Sequence, residues 1–152
     1  MRKEANIPYF KDSNECDDLL GGFFRKMSEG VAQGDQELVG IQRKLAAINL
    51  IVKFVWREPE LTLTLNFTRD PFTVHTNDDT ITPTATFTLT ADVAHKFWHG
   101  QVNLAKALTA KTIVARGPIP KILKLLPAIK PLYKRYPRYL KERGRPDLVL
   151  SD

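Results

Sequence analysis

The clearest order in the chain is an alternation. Leu61, Leu63, Leu65 and Phe67 alternate with Thr62, Thr64, Asn66 and Thr68, the period-two pattern of a strand with one buried and one wet face. Residues 81–90 repeat it, with Ala85, Phe87 and Leu89 set between threonines. Residues 50–56 and 72–76 read as two further strands. The turn signals Arg57-Glu58-Pro59-Glu60, Arg69-Asp70-Pro71 and Asn77-Asp78-Asp79 separate the four. Such short turns predict an antiparallel meander with one apolar face, and Pro83 predicts an edge position or an irregular start for the last strand. Residues 111–116 supply a fifth strand, expected beside the first after a helical crossover.

Helical spacing governs the rest. Leu19, Leu20, Phe23, Phe24 and Met27 recur at helical intervals over residues 13–29, where Gly21 and Gly22 weaken the helix and leave it dependent on packing. Asp35 is an N-cap for a second helix with the stripe Leu38, Ile41, Leu45 and Ile48. Thr90 and Asp92 open a short helix bearing Val93, Ala94, Phe97 and Trp98, which stops at Gly100. Leu104 and Leu108 follow in a linker. After Gly117 and Pro118 comes a very apolar helix with Ile119, Ile122, Leu123, Leu125 and Leu126, broken by Pro127 and Pro131. Ile129, Leu132, Tyr133, Tyr136 and Leu140 then resume the spacing. The apolar sheet face has only these helices to cover it. The fold class is therefore α+β: a five-stranded, mainly antiparallel sheet with helices on one face.

At 152 residues the chain fits one domain, 1–152, with a loose N-terminal arm at 1–12 and a basic, proline-containing extension at 127–152. One cysteine, Cys16, excludes a disulfide framework, and its acidic neighbours argue against a reactive thiolate. No apolar run is long enough to span a bilayer, and neither a secretory signal nor a peroxisomal address is recognised. The expectation is a cytoplasmic, bacterial protein.

The net charge of +6 is uneven: residues 118–145 carry +8 and the remainder −2. Lys130, Lys134, Arg135, Arg138 and Lys141 form a basic stripe beside Leu and Tyr. That is the form of a helix that docks on anionic membranes, and equally of one that folds onto its own domain or meets a protein partner. Tyr133, Tyr136 and Tyr139 interleave with arginines, but no nucleic-acid-binding module is recognised and nucleic acid is not an expected partner.

Nothing places a nucleophile beside a base, so no catalytic residues and no cofactor are expected. Asp92, His95 and His99 lie at i, i+3 and i+7. They are assigned to the solvent face of their helix, with no third strong ligand nearby, and no metal is expected.

The order of a Thr90/Asp92-capped helix, an aromatic pair before Gly100, Leu108, and Lys-Thr-Ile-Val-Ala-Arg-Gly at 111–117 resembles the sterol carrier protein type 2 family, over roughly residues 38–126. The resemblance implies a tunnel between sheet and helices that holds a sterol, fatty acid or acyl-CoA. Its lining is expected from Leu63, Leu65, Phe67, Phe87, Leu89, Phe97, Trp98, Leu104, Leu108, Ile113, Ile122, Leu123 and Leu126. The alternative is a protein-interaction module of the same fold without lipid, since packed cores and lined tunnels use the same residues.

Overall fold

The computed structural model describes residues 7–151. The chain begins with α1 (Ser13–Cys16), a π turn (Asp17–Gly21) and α2 (Gly22–Ala32), continuous with one another, then α3 (Gln36–Ile48). Strands β1 (Ile51–Arg57), β2 (Leu61–Asn66), β3 (Thr73–Thr76) and β4 (Ala85–Thr90) follow, then α4 (Ala91–Trp98), α5 (Leu104–Ala110) and β5 (Val114–Arg116). Helices α6 (Ile119–Ile129) and α7 (Leu132–Glu142) and a 3-10 turn (Pro146–Leu148) complete it. The architecture is α+β, as expected.

The sheet is mixed, in the order β3-β2-β1-β4-β5. Hairpins join β1 to β2 and β2 to β3, but β4 pairs parallel with β1 and β5 lies against β4. The four-strand meander and the placing of the fifth strand beside the first are thus corrected. The cause lies at Asn77, whose φ of 62 − a value shared by its neighbouring left-handed positions − is not needed to see the turn: its side chain accepts from the Thr62 amide at 3.0 Å. The chain then crosses the outer face of the sheet instead of doubling back. Asp79 meets Lys53 at 3.2 Å on the way, and Thr84 bonds both the amide and the carbonyl of Ile51. Pro83, with no N–H to give, delays the strand to Ala85.

Register sorts the two faces. Leu63, Phe54, Phe87 and Ala115 form one row of the inner face, and Leu61, Trp56 and Leu89 the next. Thr64, Lys53, Thr86 and Arg116 form a row of the outer face. The helices cover only the inner face.

Capping follows the sequence closely. Asp35 accepts from the Leu38 amide at 3.2 Å and Thr90 from the Val93 amide at 3.1 Å. The linker at Leu104 is instead helix α5, capped by Asn103. Pro127 lies inside α6 and Pro137 inside α7, so neither ends its helix. Pro127 leaves the Leu123 carbonyl without its intrahelical donor, and both residues lie on the exposed side of α6, within reach of water.

Two glycines are dictated by geometry. A Cβ on Gly22 would lie 2.6 Å from the Tyr139 hydroxyl, and this close approach seats α7 on the π turn. Gly117 has φ +127, and a Cβ there would lie 2.5 Å from the Thr84 carbonyl oxygen. Of the arm expected to be loose, residues 1–6 lie outside the described residues. The rest is docked: Phe10 is fully buried against His95, and the Tyr9 amide donates to Asp92.

Candidate functional site

Between the inner sheet face and the helices lies one elongated apolar cavity. The space free of protein atoms is about 950 Å³ with its mouth included, but a water molecule's centre reaches only about 80 Å³ of it. The lumen is therefore long and narrow. Val52, Phe54, Trp56, Leu65, Phe87 and Leu89 form its floor; α2 and α3 supply Phe24, Met27, Leu38 and Ile41 on one side. Helices α4 and α6 close it with Phe97, Trp98, Ile122, Leu125, Leu126 and Ile129.

The wall contains one polar side chain, Gln42, and both ends of its amide are occupied. It donates to the Arg69 carbonyl at 2.9 Å and accepts from the Phe72 amide at 2.9 Å. No titratable side chain lines the cavity. A charged headgroup would find no partner inside and belongs at the opening. Phe97, Leu126 and Ile129 stay half-exposed, which places the opening along α4 and α6. Lys96 and Lys130, next in sequence to two of them, are exposed.

Ten of the thirteen expected lining residues border the cavity: Leu65, Phe67, Phe87, Leu89, Phe97, Trp98, Leu104, Ile113, Ile122 and Leu126. Three do not. Leu63 is fully buried in core, Leu108 is half-buried away from the lumen, and Leu123 points to solvent at 45 % exposure. The walls from α2, α3 and β1 were missed as lining, although their apolar stripes were visible in the sequence.

The basic stripe divides. Lys130, Lys134, Arg138 and Lys141 are exposed. Arg135 is not available to a surface: its guanidinium bonds Glu37 at 2.6 Å and Asp35 at 3.0 Å, clamping α7 to the start of α3. Those bonds raise the Arg135 pKa against the opposing effect of burial, and hold Asp35 below the usual carboxylate range together with the Leu38 amide.

The histidines are not on a solvent face. His95 is fully buried; its Nε2–H donates to the Leu148 carbonyl at 2.7 Å, so its Nδ1 accepts from the Tyr136 hydroxyl at 2.8 Å. His99 donates from Nδ1 to the His95 carbonyl and accepts at Nε2 from the Leu150 amide. All four ring nitrogens are thus engaged in pinning the C-terminal segment and α7 to α4. Burial pushes the His95 pKa down to about 3, with His99 adding to the effect. Among the described residues no cluster of three or more His, Cys, Asp or Glu side chains is arranged to hold a metal ion. Burial, followed by Asp17, Asp92 and Glu15, pushes the Cys16 thiol up to about 12, which leaves it unreactive.

Comparison with solved structures finds the same fold elsewhere. The sterol carrier protein domain 2 of Helicoverpa armigera superposes with a TM-score of 0.59 at 21% identity, over 78% of this chain and 92% of that one. The apo form of sterol carrier protein 2 from Yarrowia lipolytica gives 0.58 at 16% identity, over 90% and 98%. A variant of a sec-alkyl sulfatase matches with a TM-score of 0.51 at 15% identity, over 57% of this chain but 14% of that one. No family model and no curated protein matches the sequence.

Proposed function

We propose that this sterol carrier protein-like domain is a non-catalytic carrier of single-chain lipid, with a fatty acid or the acyl part of an acyl-CoA as cargo. The observation that carries this reading is the cavity itself: continuous, narrow, and without an available polar group in its wall. A polymethylene chain is the slimmest of the apolar ligands that the fold suggests, and fits such a lumen with less displacement than fused sterol rings. About ten buried methylenes contribute roughly 8 kcal/mol gross at ~0.8 each. Losses of motion and ordering leave an affinity around the micromolar range, weak enough for release.

The exposed cations Lys130, Lys134, Arg138 and Lys141 support encounters with anionic surfaces, each contributing on the order of 1 kcal/mol near such a leaflet. Two measurements test the reading. Native mass spectrometry of the purified protein is expected to show a co-purifying single-chain lipid, and added palmitate to displace a fluorescent fatty acid. A clean apo mass with no displacement would favour the lipid-free interaction module instead.

A further inference from the structure

Charge is segregated along this chain. Between Asp92 and Glu142 there is no carboxylate, while eleven Lys and Arg fall in the same interval. Exposed apolar surface is concentrated there too. Of the four large apolar side chains that are exposed among the described residues, three lie close together: Val114 at 41 %, Ile119 at 43 % and Leu123 at 45 %. Ile119 and Leu123 are one turn apart on α6, and the exposed Pro127 continues their line. Lys121, Lys124 and Lys130, all exposed, bracket that ridge.

The opposite side of α6 roofs the cavity through Ile122, Leu125, Leu126 and Ile129. This helix is apolar on both faces, one toward the lumen and one toward the surroundings. It is also the least tied. Its first turn has no side-chain cap, Pro127 interrupts its hydrogen bonding, and its buried side chains Ile122, Leu125 and Ala128 hold by apolar contact. Helix α7, by contrast, is fastened by Arg135 to Asp35 and Glu37, by Tyr136 to His95, by Tyr139 to the Leu19 carbonyl and by Arg143 to Asp18. The carboxylates at the start of α3 are committed to Arg135 and do not neutralise the α6 lysines.

We propose that α6 is a membrane-docking lid: Ile119 and Leu123 enter the interface of an anionic bilayer, Lys121, Lys124 and Lys130 meet its phosphates, and the helix moves off the cavity it covers. The occupant is a lipid surface because the patch is a single ridge flanked by lysines, not a groove shaped for a folded partner. The inference rests on the lipid-carrier reading, but its test is separate.

Leu123→Cys in the full chain, labelled with an environment-sensitive nitrobenzoxadiazole dye, reports on the ridge, since Cys16 is buried and escapes labelling. Arg138→Cys on α7 is the control. Vesicles of phosphatidylcholine with added phosphatidylglycerol are expected to shift the Leu123 label to the blue and brighten it, with little change at position 138. Phosphatidylcholine alone is expected to do neither. Lys121→Glu with Lys124→Glu should raise the lipid concentration needed by at least about tenfold. An unresponsive label at position 123, or equal responses to both vesicle types, overturns the docking lid. If fatty-acid displacement survives that failure, the carrier reading stands without it; if docking occurs but no fatty acid binds, the lid has no cargo to release and that role falls.

Discussion

His95 gives the sharpest test of how the helical layer is held. Its folded pKa of about 3 lies below the ordinary 6.5, so between those values the unfolded chain binds a proton that the folded protein refuses. The stabilisation is complete above pH 6.5 and is lost as pH falls toward 3. The full interval corresponds to roughly 4–5 kcal/mol at about 1.36 per pKa unit. Between pH 6.5 and 5 the loss is about 2 kcal/mol, a large part of the 5–15 kcal/mol typical of a domain. His99, also held low by burial, acts with the same sign. The assay is urea unfolding from pH 7.5 to 4.5, above the range where Asp35 and Asp147 begin to take up protons. His95→Gln keeps one donor for the Leu148 carbonyl and one acceptor for the Tyr136 hydroxyl, and is expected to flatten the profile. His95→Phe leaves both partners unsatisfied and should cost about 2–5 kcal/mol at pH 7.5. Wild-type stability that does not change from pH 7 to 5, or a Gln variant with an undiminished slope, would refute the buried neutral imidazole.

Both tryptophans of the chain, Trp56 and Trp98, line the cavity, so palmitate binding should change intrinsic fluorescence and excite bound cis-parinaric acid by energy transfer; a titration with neither change would place the ligand elsewhere. Leu89→Trp, which fills the lumen from β4, should weaken fatty-acid binding at least about tenfold while leaving the far-ultraviolet circular dichroism unchanged. Unaltered affinity in a folded variant would count against this cavity. Gly117→Ala places a Cβ against the Thr84 backbone at a φ that alanine does not tolerate, and is expected to cost about 3 kcal/mol in urea unfolding. A loss well under 1 kcal/mol would show that the β5–α6 junction yields easily.

The strands, the caps at Asp35 and Thr90 and most of the floor were legible because local pattern dictates them. Period-two alternation places Leu65, Phe87 and Leu89 on one face whatever the strand order. Strand order itself was not legible. The parallel β1–β4 pairing depends on where an eight-residue crossing from Asn77 to Thr84 lands, and turn residues alone do not distinguish a hairpin from a crossing. His95 was misplaced for a related reason. The wheel of α4 correctly gave one apolar face toward the sheet, but a second layer, Tyr136 and the carbonyl of Leu148, covers the other. Arg135 likewise lost its assigned role to carboxylates about one hundred residues away, a pairing that no local stripe reveals.

The basic extension that looked uniform in sequence therefore has two physical parts. Charged and hydrogen-bonded anchors fix α7 to α3, α4 and the π turn, and such contacts are costly to break once their partners are partly desolvated. Apolar contacts hold α6, and these can be exchanged for lipid contacts at little net cost, because hydrocarbon replaces hydrocarbon. A cavity without polar lining selects cargo by width and length, so access must be controlled at its cover. The two helices together meet that need: one stays fixed to keep the fold intact, and the other trades its inward contacts for a membrane when cargo passes.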